Sequence, residues 1–377
     1  MSGQTFSVID CDGHLVESIP ELAEYMEPRL RRTVLSPGRN REGVFPSLDG
    51  FHGPRGAGIE GPETNGRDYV TASAHRKGSC EDYVSFLQKA AVEQAVMFTS
   101  EGLSVGFIRT AESAIQICRA YNDYVHDRYG RQSDRLHPMA LIPFQSPAAA
   151  VQELRRAVKE LGMPGAMVPS TGLPLHVGHE LYWPIYEEAS NLGCVLGVHG
   201  GSVTGTGMDT FSVSGARASL HHSIPLMVAM ASLTGHGILD RFPDFRVGFF
   251  EGGCGWFVCL LDRMERGEGV VGRSALSALP RHIRDGRILI GCEGNDPSLA
   301  YLIDAVGPTP FAWASDYPHE VDLEAARQMI EDTVHRPGMS DADKTAILGE
   351  NARRFFRLPR MEPLNGAPET AWASAAE

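Results

Sequence analysis

Short apolar runs recur along the chain, separated by stretches long enough to form a helix. The eight runs are SVIDCDGH (7–14), EQAVMFTS (93–100), HPMALIPF (137–144), GAMVPS (165–170), CVLGVHG (194–200), RVGFFEG (246–252), RILIGCE (287–293) and FAWASDYPH (311–319). Runs of this length are typical of buried strands. Residues 146–162 and 179–193 show helical periodicity and end in glycine. Strand–helix alternation repeated eight times predicts the α/β class and a closed (β/α)₈ TIM barrel.

A doubly wound open sheet is the competing architecture for such an alternation. That fold favours a glycine-rich G-x-G-x-x-G turn after the first strand, where it binds phosphate groups. Here the first run continues as GHLVES instead. The turn therefore favours the barrel over the open sheet.

Two segments lie outside the repeat. Residues 34–80 are rich in Gly, Pro and Arg and show little periodicity, so we interpret them as a long insertion after strand 1. Such an insertion is either a lid over the barrel mouth or a surface loop without catalytic consequence. Residues 361–377 follow a terminal helical stretch and are interpreted as a tail, either an arm or disordered. Residues 1–360 are thus interpreted as one barrel domain.

The charge balance argues against several classes of partner. The formal net charge is −13 at pH 7, whereas nucleic acids and anionic membrane surfaces require basic patches. The first residues lack the pattern of a secretory signal, and no run reaches the ~18 apolar residues of a membrane span. We expect a cytoplasmic enzyme that acts on a small molecule, without nucleic-acid or membrane partners.

Polar residues stand at the ends of several predicted strands, where barrel enzymes place their active sites. In the first run, Asp10, Asp12 and His14 alternate with apolar residues, so a regular strand would carry all three on one face. Asp10 lies one step deeper and is interpreted as a structural group that needs a hydrogen-bond partner, not as a ligand. His199 ends the fifth run, and Asp316 lies in the eighth.

Glu251 and His319 extend this set of polar residues. By alternation, Glu251 shares a face with Val247 and Phe249, which we expect to point into the barrel. His319 follows three residues after Asp316. The strand ends thus carry Asp12, His14, His199, Glu251, Glu293, Asp316 and His319. Their phase along the strands predicts that His14, His199, Glu251 and Asp316 converge at the barrel mouth.

Carboxylates and imidazoles gathered in one enclosed site predict a metal ion. Buried carboxylates without a cation are costly. A divalent ion held by Asp12, His14, His199 and Asp316 removes that cost, with mixed nitrogen and oxygen ligands that suit zinc first and manganese second. Taken singly, a histidine at a strand end is more often a hydrogen-bonded structural residue, but four such residues at the ends of strands one, five and eight favour a metal site.

The lysines exclude two other kinds of barrel site. The chain has four lysines, Lys77, Lys89, Lys159 and Lys344, and none ends a predicted strand. A Schiff-base aldolase needs a lysine at such a position. The run GAMVPS also offers no lysine for carbamylation and a binuclear centre, so one metal ion is expected.

Four motifs resemble the amidohydrolase superfamily. They are I-D-x-D-x-H-x-x-E at 9–17, RFPDFRVGFFEGGCGW (241–256), ASDYPHE (314–320) and LGENARRFFRL (348–358). The nearest branch includes amino-carboxymuconate-semialdehyde decarboxylase and aromatic-acid decarboxylases. The resemblance implies a (β/α)₈ barrel, a mononuclear metal site, and a homodimer or homotetramer. It makes Asp12, His14 and His199 metal ligands, and it makes Asp316 a residue that contacts the metal and takes a proton.

The chain departs from this family pattern at two positions. Many members have a histidine where Asp12 stands. Decarboxylases of the branch end strand six in a His-x-Gly element that supplies a catalytic histidine, whereas this chain has Glu251-Gly-Gly. Glu251 is therefore interpreted either as a general acid/base or as a further metal ligand.

The first predicted reaction is hydrolysis by metal-activated water of a small carboxylated, amide or lactone substrate. Asp316 would accept a proton, and Glu251 or His319 would donate one. Arg41 or Arg55 of the insertion would clamp a substrate carboxylate. The alternative reaction is non-oxidative decarboxylation of an aromatic or ring-cleavage acid. A non-catalytic binding barrel is the alternative of another class.

Four other polar residues carry weaker signals. Glu17 either orients a ligand or caps the next helix. His221 and His222 precede a helix after a long loop, where contact with substrate is the minor alternative. His176 carries the weakest signal of all.

Overall fold

The computed structural model describes residues 5–35, 44–46, 78–201, 205–208, 219–271, 278–319, 321–362 and 372. Its strands are β1 Ile9–Leu15, β2 Gln94–Thr99, β3 in two parts (Leu136–Pro138 and Ala140–Leu141), β4 Gly165–Pro169, β5 Val195–His199, β6 Arg246–Phe250, β7 Ile288–Cys292 and β8 Phe311–Trp313. Each of the eight predicted runs therefore contains a strand. Most of the predicted insertion, with Arg41 and Arg55, lies outside the described residues.

The strands form two parallel sheets, one of three strands and one of six, and the interrupted β3 contributes one part to each. Each strand pairs in parallel with the next, and β3 pairs with β2 through its first part and with β4 through its second. Two backbone hydrogen bonds then join β1 to the residues after β8: Asp316 N donates to Asp12 O (2.9 Å), and His14 N donates to Tyr317 O (2.8 Å). These bonds bring the first and last strands together, as a barrel requires. The predicted α/β barrel fold is confirmed.

Helices connect the strands and cover the sheet. The α-helices of the described residues are Ile19–Leu22, Pro28–Val34, Cys80–Ala90, Ala111–Val125, Pro147–Lys159, Trp183–Leu192, Ser223–Gly235, Ile238–Arg241, Gly255–Val271, Leu279–Arg284, Leu299–Val306, Leu323–Val334, Asp341–Thr345 and Asn351–Phe356. Shorter 3₁₀ turns span Ala23–Tyr25, Glu101–Phe107 and Glu180–Tyr182, and π-helical turns span His126–Gly130 and Ala346–Glu350. Within the described ranges, every helix is too short or too polar to cross a bilayer.

One residue of the predicted tail is packed against the body of the protein. Trp372 is buried, its backbone oxygen accepts from Phe6 N at 2.8 Å, and its indole Nε1 donates to Ala90 O at 3.2 Å. The chain is therefore anchored at Trp372. The other residues after 362 lie outside the described residues.

A β-bulge in β1 changes which of its residues share a face. Asp10 pairs with Ala95 while His14 pairs with Phe98, so four steps along β1 match three along β2. One extra residue reverses the alternation, and Asp10 therefore faces away from His14. The expectation of three polar groups on one face is wrong for Asp10.

Candidate metal centre

The predicted site residues meet at the carboxyl ends of the strands. Asp12 and His14 lie near the end of β1, and His199 is the last residue of β5. Asp316 and His319 follow β8 in the segment that is hydrogen-bonded to β1. The mouth of the barrel is thus the location of the cluster, as predicted.

Asp12, His14 and His199 form the first group that is able to hold a metal ion. One ligand atom from each of the three lies within 4.8 Å of the others, and all three residues are buried. His199 Nε2 lies 3.1 Å from Asp12 Oδ1, and His14 Nε2 lies 3.6 Å from the same oxygen. The three side chains therefore point at one small volume.

His14, Asp316 and His319 form a second such group, which shares His14 with the first. His14 Nε2 lies 3.4 Å from Asp316 Oδ1, and the rings of His14 and His319 are 4.4 Å apart. His319 Nε2 also lies 3.2 Å from Ser100 Oγ. His14 is consequently the centre of the whole cluster.

Backbone carbonyls orient both buried histidines. His14 Nδ1 lies 3.0 Å from Thr99 O, and His199 Nδ1 lies 2.9 Å from Gly200 O. A carbonyl only accepts, so each Nδ1 carries the hydrogen and donates it. In the neutral form of each ring, Nε2 then has its lone pair directed toward the cluster, the arrangement that metal-ligating histidines adopt.

The polarity of the cluster favours a cation. Among the described residues, Asp12 Oδ2 and His14 Nε2 are buried polar atoms without a hydrogen-bond partner. Burial raises the pKa of Asp12 although His199 opposes the shift. Burial lowers the pKa of His199, but Asp12 and Glu251 outweigh it and raise that pKa to about 10. The buried carboxylates are therefore stabilised by a positive charge beside them. A divalent ion bound by these nitrogen and oxygen donors would supply that charge.

Glu251 reaches the cluster by a route that alternation did not predict. Phe250, rather than Phe249, points into the barrel: its ring lies 4.8 Å from the Phe98 ring, whereas Phe249 packs against Trp256. Glu251 itself adopts a left-handed backbone conformation (φ 62°), which redirects its side chain. The predicted face shared with Val247 and Phe249 is therefore wrong, although the predicted convergence is observed.

Glu251 contacts the outer nitrogen of His199. Its Oε2 lies 3.0 Å from His199 Nδ1, on the ring edge opposite to the nitrogen that faces Asp12. Burial raises the pKa of Glu251, but His222 and His199 lower it well below its ordinary value. Glu251 is thus placed as an anionic partner that orients a histidine and not as a fourth member of the Asp12–His14–His199 group.

Asp10 and Glu17 have structural roles. Asp10 accepts hydrogen bonds from Ser315 N (3.0 Å) and Ser315 Oγ (2.5 Å), and burial raises its pKa to about 7. Glu17 accepts from the backbone nitrogens of Ser100 (3.2 Å) and Glu101 (3.0 Å), where a 3₁₀ turn begins. Glu17 therefore has a capping role. It caps the 3₁₀ turn that follows β2, whereas the sequence predicted that it would cap the helix next to it in the chain.

His176 and His222, two of the histidines with weak signals in the sequence, lie in different surroundings. His176 is exposed, and its Nδ1 lies 2.7 Å from Ser232 Oγ, so it contacts a different part of the molecule. His222 Nδ1 instead lies 3.5 Å from Glu251 Oε2. Sequence reasoning gave His222 little weight because it stands outside the strands, and the only signal was its position after the β5 loop.

A family model described as amidohydrolase matches residues 9–358. The matched range runs from β1 to the residues just after the last helix. It therefore includes every residue of the cluster.

Two curated relatives are decarboxylases, and a solved structure shares the fold. A 2-amino-3-carboxymuconate-6-semialdehyde decarboxylase of Dictyostelium discoideum is 24% identical over 266 residues, which are 67% of this chain and 70% of that protein. A gamma-resorcylate decarboxylase of Rhizobium radiobacter is 25% identical over 322 residues, 77% of this chain and 91% of that protein. The structure of a 5-carboxyvanillate decarboxylase from Novosphingobium aromaticivorans DSM 12444, complexed with manganese and 4-hydroxy-3-methoxy-5-nitrobenzoic acid, superimposes with a TM-score of 0.67 at 18% identity, covering 94% of this chain and 96% of that one.

Proposed function

Because the chain belongs to the amidohydrolase family, we propose that it is a metal-dependent decarboxylase (carboxy-lyase) of a small aromatic or ring-cleavage carboxylic acid. The observation that carries this proposal is the convergence of Asp12, His14, His199 and Asp316 at the mouth of a barrel whose curated relatives are decarboxylases. The comparisons favour this reaction over hydrolysis, the first reaction predicted from the sequence.

Asp12, His14, His199 and Asp316 would hold the ion. The mixed nitrogen and oxygen donors suit zinc or manganese, and the manganese in the Novosphingobium structure supports the second choice. A bound divalent ion supplies positive charge that polarises a carboxylate and a neighbouring hydroxyl group.

The protein's own residues then position the substrate and move protons. Asp316 lies at the edge of the cluster, with its side chain 21% exposed and one oxygen toward His14. Its carboxylate is therefore placed to accept the proton of a substrate hydroxyl. His319, beside His14 and Ser100, is a second acid/base candidate. Assembly as a homodimer or homotetramer and a cytoplasmic location stay predictions.

Product analysis tests the reaction. We expect metal-loaded protein to release carbon dioxide from gamma-resorcylate or 5-carboxyvanillate, without oxygen from ¹⁸O-labelled water in the organic product. Protein treated with a chelator and then restored with manganese or zinc is the control, and its activity should be lost and then regained. Incorporation of ¹⁸O without carbon dioxide release, on amide or lactone substrates, would instead establish hydrolysis.

Glu251→Gln tests the orienting role of Glu251. The amide keeps the size of the side chain but removes the negative charge from His199 Nδ1. We expect metal affinity to fall roughly 10- to 100-fold, the usual range for groups that orient a ligating histidine. Metal titration followed by a chromophoric chelator measures the change. The matched control is Glu293→Gln, because Glu293 is an exposed glutamate just after β7. This variant should bind metal like the wild type. An unchanged affinity in Glu251→Gln would show that Glu251 does not act through His199.

A further inference from the structure

The carboxylate of Asp10 is turned away from the cluster but is bonded to the residue that precedes Asp316. Asp10 is 1% exposed, and Ser315 is fully buried. Ser315 N donates to Asp10 Oδ1 at 3.0 Å, and Ser315 Oγ donates to Asp10 Oδ2 at 2.5 Å. Both carboxylate oxygens of Asp10 therefore hold one residue, and that residue is the chain neighbour of Asp316.

We propose that Asp10 is a positioning residue for Asp316 and that, through Ser315, it holds the Asp316 carboxylate where it accepts a proton from the substrate. This inference rests on the proposed decarboxylase function, in which Asp316 is the base. Asp10 acts through Ser315 and does not itself touch the reacting atoms.

The backbone of Asp316 has a conformation that must be held in place. Its φ is 59°, in the left-handed region that residues other than glycine adopt rarely and at a cost in free energy. Such a conformation persists only where the surrounding structure fixes it. From this backbone, Asp316 Oδ1 lies 3.4 Å from His14 Nε2. A change in φ would therefore move the carboxylate relative to the cluster.

Hydrogen bonds fix the residues on both sides of Asp316. On the N-terminal side, Ser315 is held by Asp10 through two bonds. On the C-terminal side, Tyr317 N donates to Ser315 Oγ at 2.9 Å, and Tyr317 O accepts from His14 N at 2.8 Å. The Ser315 hydroxyl group thus connects Asp10 to Tyr317 across the strained residue.

This arrangement requires a hydrogen-bond acceptor at both oxygens of residue 10. The Ser315 hydroxyl accepts from Tyr317 N, and its own hydrogen goes to Asp10 Oδ2. Asp10 Oδ1 accepts from Ser315 N and also from Asp12 N, at 3.2 Å. An ionised carboxylate accepts at both oxygens. Asparagine would place an N–H group where one of these donors now meets an oxygen, without a change in the size of the side chain.

Asp10→Asn and Ser315→Ala disturb this connection from its two ends. With gamma-resorcylate as substrate, we expect each variant to lower kcat about 10- to 100-fold, because a small displacement of a catalytic group has an effect of this size. KM and metal content should stay within about twofold of the wild type, since the predicted metal ligands are unchanged.

Thr333→Val is the matched control for the loss of a buried hydroxyl group. Thr333 is fully buried in the helix Leu323–Val334, and its hydroxyl donates within that helix to Met329 O at 3.1 Å. Valine has nearly the same shape. This variant should keep the kcat of the wild type.

An Asp316→Asn background separates positioning from a general structural role. If Asp10 acts through the Asp316 carboxylate, Asp10→Asn and Ser315→Ala should change kcat by less than about twofold in this background, because the carboxylate is already absent. A purely structural role would lower kcat by the same factor in both backgrounds. Carbon dioxide release in a single turnover gives the low rates that this comparison needs.

A crystal structure of Ser315→Ala supplies a readout that does not depend on activity. We expect Asp316 to leave the left-handed conformation, with its Oδ1 displaced from His14 Nε2. An Asp316 with the same φ and the same distance to His14 would overturn the inference.

The outcomes separate this inference from the proposed function. A wild type that releases no carbon dioxide from gamma-resorcylate or 5-carboxyvanillate overturns the proposed function and the role of Asp10 with it. An active wild type, with kcat undiminished in both variants or lowered equally in both backgrounds, overturns only the role of Asp10. Loss of metal or of the fold in both variants also overturns it, because the bonds would then serve stability. If Asp10→Asn alone fails to fold, Ser315→Ala decides, since it keeps the Asp10 carboxylate.

Discussion

Replacing His14 by glutamine is expected to abolish stoichiometric metal binding and to lower decarboxylase activity by roughly 10³-fold or more, because the ion supplies the polarising charge. The reason is the central position of His14. Its Nε2 lies 3.6 Å from Asp12 Oδ1 and 3.4 Å from Asp316 Oδ1, and it is the residue that the two metal-binding groups share. Removal of this nitrogen leaves each group without one of its three members.

Metal analysis after extensive dialysis, with activity measured at saturating manganese or zinc, checks this expectation. His137→Gln is the matched control, because His137 is also a strand histidine but pairs with Gln94 at 2.9 Å. That variant should retain its metal. A His14→Gln protein with one tightly bound ion would place the metal away from the described cluster, and the site assignment would then be wrong.

The fold was predictable because its signal is repeated eight times. Each apolar run contains a strand, and a boundary error in one run does not disturb the others. The eighth run shows such an error: the strand ends at Trp313, and the polar residues after it form a turn in which His319 N donates to Asp316 O. Convergence at the mouth was also predictable, since parallel strands present their carboxyl ends on one side.

The faces of individual residues were less predictable. Alternation assumes a regular strand and a known inward-facing residue. The bulge in β1 breaks the first assumption and turns Asp10 toward Ser315. The second fails in β6, where Phe250 and not Phe249 points inward, and Glu251 reaches the cluster through its left-handed backbone conformation. Asp316 has a left-handed conformation as well (φ 59°). Non-glycine residues rarely adopt it, so sequence patterns carry no sign of it.

The position of His222 could not be predicted for a different reason. It depends on a contact between the end of one loop and the end of another strand, made possible by the missing side chain at Gly200. The sequence separates His222 from Glu251 by 29 positions, and no periodicity connects them. Contacts of this kind emerge only from the folded chain.

Replacing Asp316 by asparagine should separate the binding of metal from the transfer of a proton. Asparagine keeps the size of the side chain and an oxygen toward His14, so we expect the variant to retain an ion, although more weakly. It no longer accepts a proton, and loss of a general base lowers kcat by about 10²- to 10⁴-fold. Activity and metal content measured on the same preparation give both quantities.

The contrast with His14→Gln makes the Asp316 experiment informative. Asp322→Asn is a suitable control, because Asp322 caps the helix Leu323–Val334 through Ala325 N and asparagine caps equally well. If Asp316→Asn loses metal and activity in parallel, and added metal restores both, Asp316 acts as a ligand alone. If the variant keeps its ion and remains inactive with every carboxylate tested, Asp316 is the base. In that case a different residue must supply the acid, and His319, beside His14 and Ser100, is the candidate to test next.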